Sequence, residues 1–337
     1  MLDYRAAGVD IAATGAIKRR IAKLVRSTFS PRVLSEIGLF GALYELRGYR
    51  QPVLVASCDG VGTKLMVARM MNRHDTIGED LVNHSVNDIL TLGARPLFFL
   101  DYIAYAALPS SVVPEIIRGL VRGCRRNGCA LIGGETAMMP GLYPEGDYDL
   151  AGTIVGAVER QDIISPRRIC AGDLVLGLPS TGLHTNGYSL ARRVLFERMG
   201  LRVTDPFPGT APHSRTTVGS VLLRVHRSYL PDLRPYLKQV HALAHITGGG
   251  FPENIERLLP RTLDCVLDTA AWSVPLVFRV IQQGGGISAS EMYRVFNMGI
   301  GMVIVASPSL TRRILREHQR ARLIGRIVPG RGRVVLD

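Results

Sequence analysis

The sequence predicts an α/β (α+β) fold in two domains, with strands and helices alternating in both halves of the chain. Of its 337 residues, 47% are hydrophobic and 20% are charged, which is typical of a globular protein and excludes a disordered chain. This length corresponds to about two domains of roughly 100–200 residues each. The composition shifts near residues 165–168, so we predict domains at 1–166 and 167–337.

The elements of the first domain follow from the period of its apolar residues. A helical spacing with polar residues between predicts amphipathic helices, and short apolar runs that end at glycines predict buried strands. In chain order these are a helix at 13–28, a strand at 52–57, helices at 64–72 and 78–92, a strand at 96–104, a helix at 111–127, and strands at 130–132 and 150–158.

The second domain shows the same alternation. A strand at 173–178 leads through a Gly/Asn turn into a helix at 188–199, and three prolines predict a loop at 202–215. The remaining predictions are strands at 240–246, 263–268, 300–306, 322–328 and 333–336, and helices at 216–229, 252–259, 275–283 and 310–320.

The charge balance favours anionic partners. Lysine and arginine number 41 against 28 acidic residues, a formal charge of +13. The arginines are scattered, however, which is equally typical of a compositional bias. Aromatic residues are 6% and do not alternate with a basic stripe, as a surface that stacks bases would require. We therefore expect a phosphorylated small molecule as the partner and consider nucleic acid unlikely.

Cysteine usage and hydropathy favour the cytoplasm. The cysteines number five and include no C-x-x-C pair, so neither a disulfide framework nor a cysteine zinc site follows. The longest apolar run, Leu97–Leu108, is interrupted by Asp101 and is shorter than the about 20 residues of a membrane-spanning helix. The sequence does not start with a secretory pattern. We expect a cytoplasmic protein with no membrane partner.

Four acidic residues are candidate metal ligands. Asp59, Asp101 and Glu135 each follow an apolar run, and Asp88 lies within a predicted helix. Carboxylates at strand ends converge at the rim of a sheet, where they suit Mg²⁺. Each alone is better explained as a helix cap or a surface acid. The four together, next to glycines, favour a metal.

Two glycine-containing turns are candidate phosphate sites. Gly60, Gly62, Thr63 and Lys64 lead into a helix, where backbone N–H groups and an ammonium can contact phosphate. The spacing is neither that of a Walker A loop nor that of a dinucleotide fingerprint. The second turn, residues 247–250, precedes Pro252, which suits a first helical position.

Histidines adjoin both turns of the second half. His184 and His245 stand beside Asn186 and Thr247, in segments rich in glycine. An imidazole in such a place can bind phosphate or move a proton near neutral pH. A bystander role is the alternative for each histidine.

A set of motifs runs along the chain in a fixed order. They are DGVGTK at 59–64, VNDI at 86–89, GARPLFFLDY at 93–102, GGETA at 133–137, MPGLY at 139–143, HTNGYSL at 184–190, HITGGGF at 245–251 and NxGxGM at 297–302. Together they resemble the phosphoribosylformylglycinamidine cyclo-ligase family, also called aminoimidazole ribonucleotide synthetases. The resemblance covers almost the whole chain, from Tyr4 to the C terminus.

The resemblance implies a homodimer of two-domain subunits. In this family, a mixed N-terminal sheet forms a barrel across the dimer, and the C-terminal domain is an α/β layer. The implied reaction is the ATP-dependent cyclisation of formylglycinamidine ribonucleotide to aminoimidazole ribonucleotide, with release of ADP and phosphate. An iminophosphate intermediate is implied, and the implied cofactors are ATP and Mg²⁺.

The resemblance also implies roles for individual residues. The metal ligands would be Asp59, Asp88, Asp101 and Glu135. ATP would contact Gly60, Gly62, Thr63, Lys64, Asn87, Gly133, Gly134, Glu135 and Thr136. The substrate would contact His184, Asn186, His245, Thr247, Gly248, Gly249 and Gly250. The catalytic residues would be Lys64, His184 and His245.

Relatives in the same superfamily are alternatives. Selenophosphate synthetase uses a reactive N-terminal cysteine or selenocysteine, whereas the first cysteine here is Cys58. Thiamine-monophosphate kinase would lack the segments at 139–143 and 184–190 in this form, and a hydrogenase-maturation dehydratase is the third relative. A catalytically silent basic paralogue that binds nucleic acid is supported only by the charge. Departures from the family pattern at 12–15 and 35–39 concern the segment that would fold over ATP.

Overall fold

The computed structural model describes residues 21–337. Its first sheet has the strand order β1-β4-β2-β3, in which β4 is antiparallel to β1 and β2, and β2 and β3 are parallel. The strands are β1 (Pro52–Gly60), β2 (Arg95–Tyr105), β3 (Ala130–Met138) and β4 (Tyr148–Glu159). The sheet is therefore mixed, as the resemblance implies.

Helices cover one face of this sheet. They are α1 (Lys64–Met70), α2 (Asp75–Leu90) and α3 (Val112–Asn127). Along β1, Val55 is buried whereas Leu54 is 62% exposed, because successive side chains point to opposite faces. Tyr102 of β2 is also 39% exposed. We call the face that carries Leu54 and Tyr102 the outer face.

The second domain contains a six-stranded sheet in the order β10-β7-β9-β5-β8-β6. Its strands are β5 (Leu174–Pro179), β6 (Ala242–His245), β7 (Leu263–Leu267), β8 (Ile300–Ala306), β9 (Arg322–Pro329) and β10 (Val334–Leu336). Every residue of β8 is buried, so this strand forms the centre of the second core.

The helices of the second domain are short. They are α4 (Tyr188–Arg192), which continues into a π-helix at Arg193–Arg198, α5 (Val218–Leu222), α6 (Leu230–Leu233), α7 (Gly250–Glu256), α8 (Leu276–Gly285), α9 (Ala289–Val295) and α10 (Pro308–Glu317). No helix in residues 21–337 is long and apolar enough to cross a membrane.

Two predicted elements need correction, and two helices were not predicted. The predicted strand at 130–132 runs on to Met138, because residues 133–138 pair with β2. The predicted helix at 216–229 is helical only over α5, after which the chain turns back onto α2. Helices α6 and α9 were not predicted. The predicted helix at 13–28 is helical over 21–26, while its start and the segment at 12–15 lie outside the described residues.

Candidate active site

Two carboxylates and two imidazoles meet where β1, α2 and β6 come together. Nε2 of His84 lies 3.0 Å from Oδ2 of Asp59 and 3.7 Å from Oδ2 of Asp88. Nδ1 of His245, at the end of β6, lies 2.7 Å from Oδ1 of Asp88. Asp59 and Asp88 are partly exposed, whereas both histidines are buried. We call these four residues the Asp/His cluster, and it joins the two domains.

Hydrogen bonds hold the other nitrogens of both imidazoles. Nδ1 of His84 is 2.7 Å from the Thr185 hydroxyl. Nε2 of His245 is 3.0 Å from Nε2 of His226, whose Nδ1 is 3.3 Å from the same hydroxyl. The orientation of both rings is therefore fixed by hydrogen bonds on the side away from the carboxylates.

The cluster sets the charge of its members. Burial alone would raise the pKa of Asp88, but the hydrogen bond and charge of His245, together with the charge of His84, lower it to about 2. Burial would lower the pKa of His84, but its hydrogen bond to Asp59 and the neighbouring carboxylates raise it. Burial lowers the pKa of His245, and Asp88 opposes this only in part. The cluster thus keeps Asp88 ionised at neutral pH.

The glycine turn of residues 247–250 lies directly after His245. The side-chain amide of Asn254 donates to the backbone carbonyls of Gly248 at 3.1 Å and Gly250 at 2.8 Å, which shapes the turn. A Cβ on Gly248 would lie 3.6 Å from Oδ1 of Asn186, so Asn186 and this turn are neighbours. The structure therefore brings these predicted substrate residues next to His245.

The ammonium group of Lys64, a predicted phosphate contact and catalytic residue, is turned into the protein. Its side chain is fully buried, and Nζ donates to Asp80 at 2.9 Å, to the carbonyl of His184 at 3.0 Å and to the carbonyl of Arg224 at 2.7 Å. These bonds use all three donors of an ammonium group. Lys64 is a structural link between the domains. Gly62 and Thr63, just before it, remain at the surface.

Asn87 and His184 are also turned into the protein. The amide of Asn87 donates to the carbonyl of Arg227 at 2.8 Å and accepts from the backbone of Tyr229 at 2.9 Å. His184 is 1% exposed, and its Nε2 accepts from the backbone N–H of Thr181 at 3.2 Å. The polar atoms of both side chains are thus hydrogen-bonded within the protein, and their roles towards ATP and substrate stay predictions.

Asp101 does not join the Asp/His cluster. It lies within β2 rather than at its end, level with Asp59 and separated from it by Gly152 of β4. Two strand spacings put the backbones of Asp59 and Asp101 about 10 Å apart. The Phe99 ring fills the space above Gly152. Burial, reinforced by the charge of Glu135, raises the pKa of Asp101 to about 7.

Glu135 is separated from the cluster by the sheet itself. It pairs with Tyr102, so its side chain belongs to the outer face, whereas Asp59 faces the helices. Gly133, Gly134 and Thr136 lie in the same strand rather than in a loop. The four predicted metal ligands therefore do not form one site, and only Asp59 and Asp88 are together.

Sequence reasoning missed several residues of the site. His84 is four residues before Asp88 on α2, a spacing that places both on one helix face and could have been noticed. His226, Asp80 and Asn254 carry no such signal, because they contact backbone groups or side chains on other elements, and no helix or strand period links them to these partners.

Comparisons with known proteins show the fold and the family of the chain. A family model for the N-terminal domain of AIR synthase related proteins matches residues 41–158, and one for the C-terminal domain matches residues 171–337. Among solved structures, thiamine-monophosphate kinase from Stenotrophomonas maltophilia K279a superposes with a TM-score of 0.68 at 19% identity, covering 98% of this chain and 96% of that one. The hydrogenase maturation protein HypE in complex with ATP has a TM-score of 0.65 at 19% identity, covering 95% and 91%. The fold and site thus define an AIR synthase related protein.

Curated relatives identify the family within the AIR synthase related proteins. The phosphoribosylformylglycinamidine cyclo-ligase of Thermoanaerobacter pseudethanolicus is 44% identical, covering 99% of this chain and 100% of the relative. That of Citrifermentans bemidjiense is 48% identical, covering 93% and 90%. The chain belongs to the phosphoribosylformylglycinamidine cyclo-ligase family, which confirms the resemblance.

Proposed function

We propose that this chain catalyses the ATP-dependent closure of the imidazole ring of aminoimidazole ribonucleotide, a step of purine biosynthesis. Family membership over the full length supports this activity over that of the kinase or HypE, whose 19% identity speaks for the fold alone. The structural observation that best supports this proposal is the 2.7 Å contact between Asp88 and His245. It places a carboxylate of the first domain directly beside the histidine that precedes the glycine turn of the second domain.

The reaction proceeds in two steps. The amide oxygen of formylglycinamidine ribonucleotide attacks the γ-phosphorus of ATP, so that an O–P bond forms and the bond to ADP breaks, and loss of the amide N–H proton gives an iminophosphate. The internal nitrogen then attacks the carbon of this group, a C–N bond forms, and phosphate leaves with the C–O bond electrons. The nitrogen loses one proton. Both steps depend mainly on positioning and on charge stabilisation.

Residues of this chain can supply both the positioning of the reactants and the stabilisation of charge. Asp59 and Asp88 are the carboxylates that would hold Mg²⁺, which neutralises phosphate charge when bound. The surface position of Gly62 and Thr63 beside Asp59 suits contact with ATP phosphates. The turn at 247–250 and Asn186 offer backbone N–H and amide groups to the substrate. His245, held between Asp88 and His226, orients this turn.

The direct test is to incubate the protein with formylglycinamidine ribonucleotide, ATP and Mg²⁺. We expect aminoimidazole ribonucleotide and ADP in equal amounts, measured by mass spectrometry. ATP incubated without the substrate should remain intact, which controls for a contaminating ATPase. ADP formation without the imidazole product would contradict the proposal.

We also propose a cytoplasmic homodimer. The outer face of the first sheet carries Leu54, 62% exposed, and Tyr102, and no helix among residues 21–337 covers it. Exposed apolar patches of this kind mark interfaces. Light scattering should give twice the monomer mass, and Leu54→Glu should shift it towards the monomer. A monomeric wild-type protein would contradict this.

A further inference from the structure

A cysteine, an aspartate and a histidine meet at the edge of the second domain. Asp173 directly precedes β5 and His241 directly precedes β6, and both strands pair with β8, which lies between them. Cys170 is three residues before Asp173. The Asp/His cluster contains His245, the last residue of β6, and the four steps from His241 to His245 span about 13 Å along a strand. The two groups are therefore separate.

The three side chains bring one sulfur, one oxygen and one nitrogen donor close together. Sγ of Cys170 lies 3.5 Å from Oδ1 of Asp173, and Nδ1 of His241 lies 2.7 Å from Oδ2 of the same carboxylate. One donor atom of each residue lies within 4.8 Å of those of the other two. In a tetrahedral zinc site, neighbouring ligand atoms are about 3.3–3.6 Å apart. The thiol and carboxylate already have this separation, and the imidazole would move by less than about 1 Å.

Backbone hydrogen bonds hold these residues in place. The N–H of Cys170 donates to Oδ2 of Asp173 at 3.0 Å, and the N–H of Asp173 donates to the carbonyl of Cys170 at 3.2 Å, which closes the turn before β5. The N–H of His241 donates to the carbonyl of Val305 on β8 at 2.9 Å. The side chains of Asp173 and His241 are 2% and 17% exposed, whereas Cys170 is exposed. The group is thus preorganised inside and open to an ion from solvent.

The donor set suits Zn²⁺ better than Mg²⁺. Thiolate and imidazole ligands favour zinc and similar transition-metal ions, whereas Mg²⁺ prefers oxygen ligands. An ion would replace the thiol proton of Cys170, while the Nδ1 proton of a neutral His241 would move to Nε2, so that one proton leaves for each ion bound. The thiolate and the Asp173 carboxylate would then balance both charges of the ion.

We propose that Cys170, Asp173 and His241 form a binding site for Zn²⁺ or a similar transition-metal ion, with water as the fourth ligand. The ion would join the turn before β5 to the start of β6 and would therefore stabilise the second domain. The site is independent of the proposed reaction, and its test uses neither ATP nor substrate. Failure of metal binding and failure of the reaction can therefore be told apart.

Cobalt binding in the presence of excess Mg²⁺ tests the proposal. Charge transfer from sulfur to Co²⁺ gives a near-ultraviolet band that oxygen and nitrogen ligands alone do not give, so the band reports a cysteine ligand. Excess Mg²⁺ occupies sites that prefer oxygen ligands. We expect one Co²⁺ per chain with this band, displaced by equimolar Zn²⁺. Absence of the band under these conditions would overturn the proposal.

Three variants locate the ion. Cys170→Ser should remove the band, whereas Cys58→Ser, the matched control at another exposed cysteine, should leave it unchanged. His241→Asn, which can still donate an N–H to Asp173, should weaken Co²⁺ binding by about 100-fold. A band that is lost in Cys58→Ser or retained in Cys170→Ser would assign the ion elsewhere. Unchanged binding in His241→Asn would show that the thiol binds alone. Each of these outcomes would overturn the proposal.

Alkylation of the wild-type chain tests the same site without a variant. Zn²⁺ should slow the reaction of Cys170 with iodoacetamide by about tenfold or more, because the metal holds the thiolate that would otherwise attack. The reaction of Cys58 should keep its rate, and mass spectrometry distinguishes the two labelled positions. This measurement decides the question if circular dichroism shows that His241→Asn does not fold. Equal protection of both thiols, or protection of neither, would overturn the proposal.

Discussion

Lys64 and Asp80 form an ion pair of 2.8 Å in which neither side chain is exposed. Oδ1 of Asp80 also accepts from the backbone N–H of His226 at 2.6 Å, and Lys64 also donates to two carbonyls of the second domain. Burial lowers the pKa of Lys64 and raises that of Asp80, while their mutual attraction opposes both shifts. The pair thus fastens α1 and α2 to the second domain, next to the Asp/His cluster.

Lys64→Met should strongly destabilise the protein, because it leaves the Asp80 carboxylate buried without a counter-charge. We expect the free energy of unfolding to fall by about 3–5 kcal/mol in urea titrations. The double variant Lys64→Met/Asp80→Asn should recover much of this loss, because no buried charge remains and the amide oxygen can still accept from His226. Arg313→Met, which breaks an exposed pair with Glu317, should cost less than about 1 kcal/mol. A Lys64→Met cost as small as this control would contradict the structural role.

Most strands and helices, and several residues of the site, could be predicted from the sequence. Buried strands and amphipathic helices leave a periodic signal, so β1, α3 and β8 were predictable. Asp59, Asp88 and His245 stand at the ends of such elements, and the structure indeed places them within hydrogen-bonding reach of one another or of His84.

The direction in which each polar side chain points was not predictable. Lys64 follows two glycines like a phosphate-binding lysine, but Asp80 and two distant carbonyls capture it. Glu135 and Asp101 both follow apolar runs in the sequence but belong to opposite faces of the sheet, and this depends on the register between β2 and β3. The break after α5, which delivers His226 to the cluster, is a tertiary effect, because its backbone N–H pairs with Asp80.

Asp101 should make stability depend on pH. Its folded-state pKa is about 7, above the about 3.9 of an unfolded aspartate, so folding favours the protonated form. Stability is therefore lost as pH rises between these values, by up to about 4 kcal/mol above pH 7. Asp101→Asn should be more stable than the wild type in urea at pH 8, and this gain should shrink towards pH 4.

Asp264 provides a control, because its effect on the pH dependence of stability has the opposite sign to that of Asp101. Backbone N–H groups of Arg333 and Arg331 lower the pKa of its carboxyl, so its contribution is present at neutral pH and is lost as pH falls. Asp264→Asn should therefore lower stability at pH 8 and have less effect in acid. If Asp101→Asn also lowers stability at pH 8, this would contradict the desolvation of the Asp101 carboxyl that the structure indicates.

Gly248 should affect substrate binding without affecting the fold. Its nearest neighbour for an added Cβ is Oδ1 of Asn186 at 3.6 Å, so alanine fits. A methyl group there would hold an anion away from the backbone N–H, and loss of one hydrogen bond to a charged group is worth about 1.5 kcal/mol. Gly248→Ala should therefore raise the KM for the ribonucleotide about tenfold and leave Tm unchanged.

Gly250 is the contrasting position in the same turn. Its φ is +58°, and an added Cβ would lie 1.9 Å from the carbonyl oxygen of Tyr293. Gly250→Ala should lower Tm markedly, because the turn or α9 must move. An unchanged KM in Gly248→Ala, beside a destabilised Gly250→Ala, would remove the turn from the substrate site.

Asp59 should matter for turnover far more than for folding. Its side chain is 35% exposed, and an asparagine in its place can still accept from Nε2 of His84. The negative charge that would face the metal and phosphates is lost, however, so kcat should fall by about 100-fold. The free energy of unfolding should stay within about 1 kcal/mol of the wild type.

Asp268→Asn is the control for this prediction. It alters an exposed aspartate whose side chain accepts from the backbone N–H of Ala270, and it should leave kcat and the free energy of unfolding unchanged. A kcat for Asp59→Asn equal to that of the wild type would exclude Asp59 from the mechanism, whatever its effect on stability.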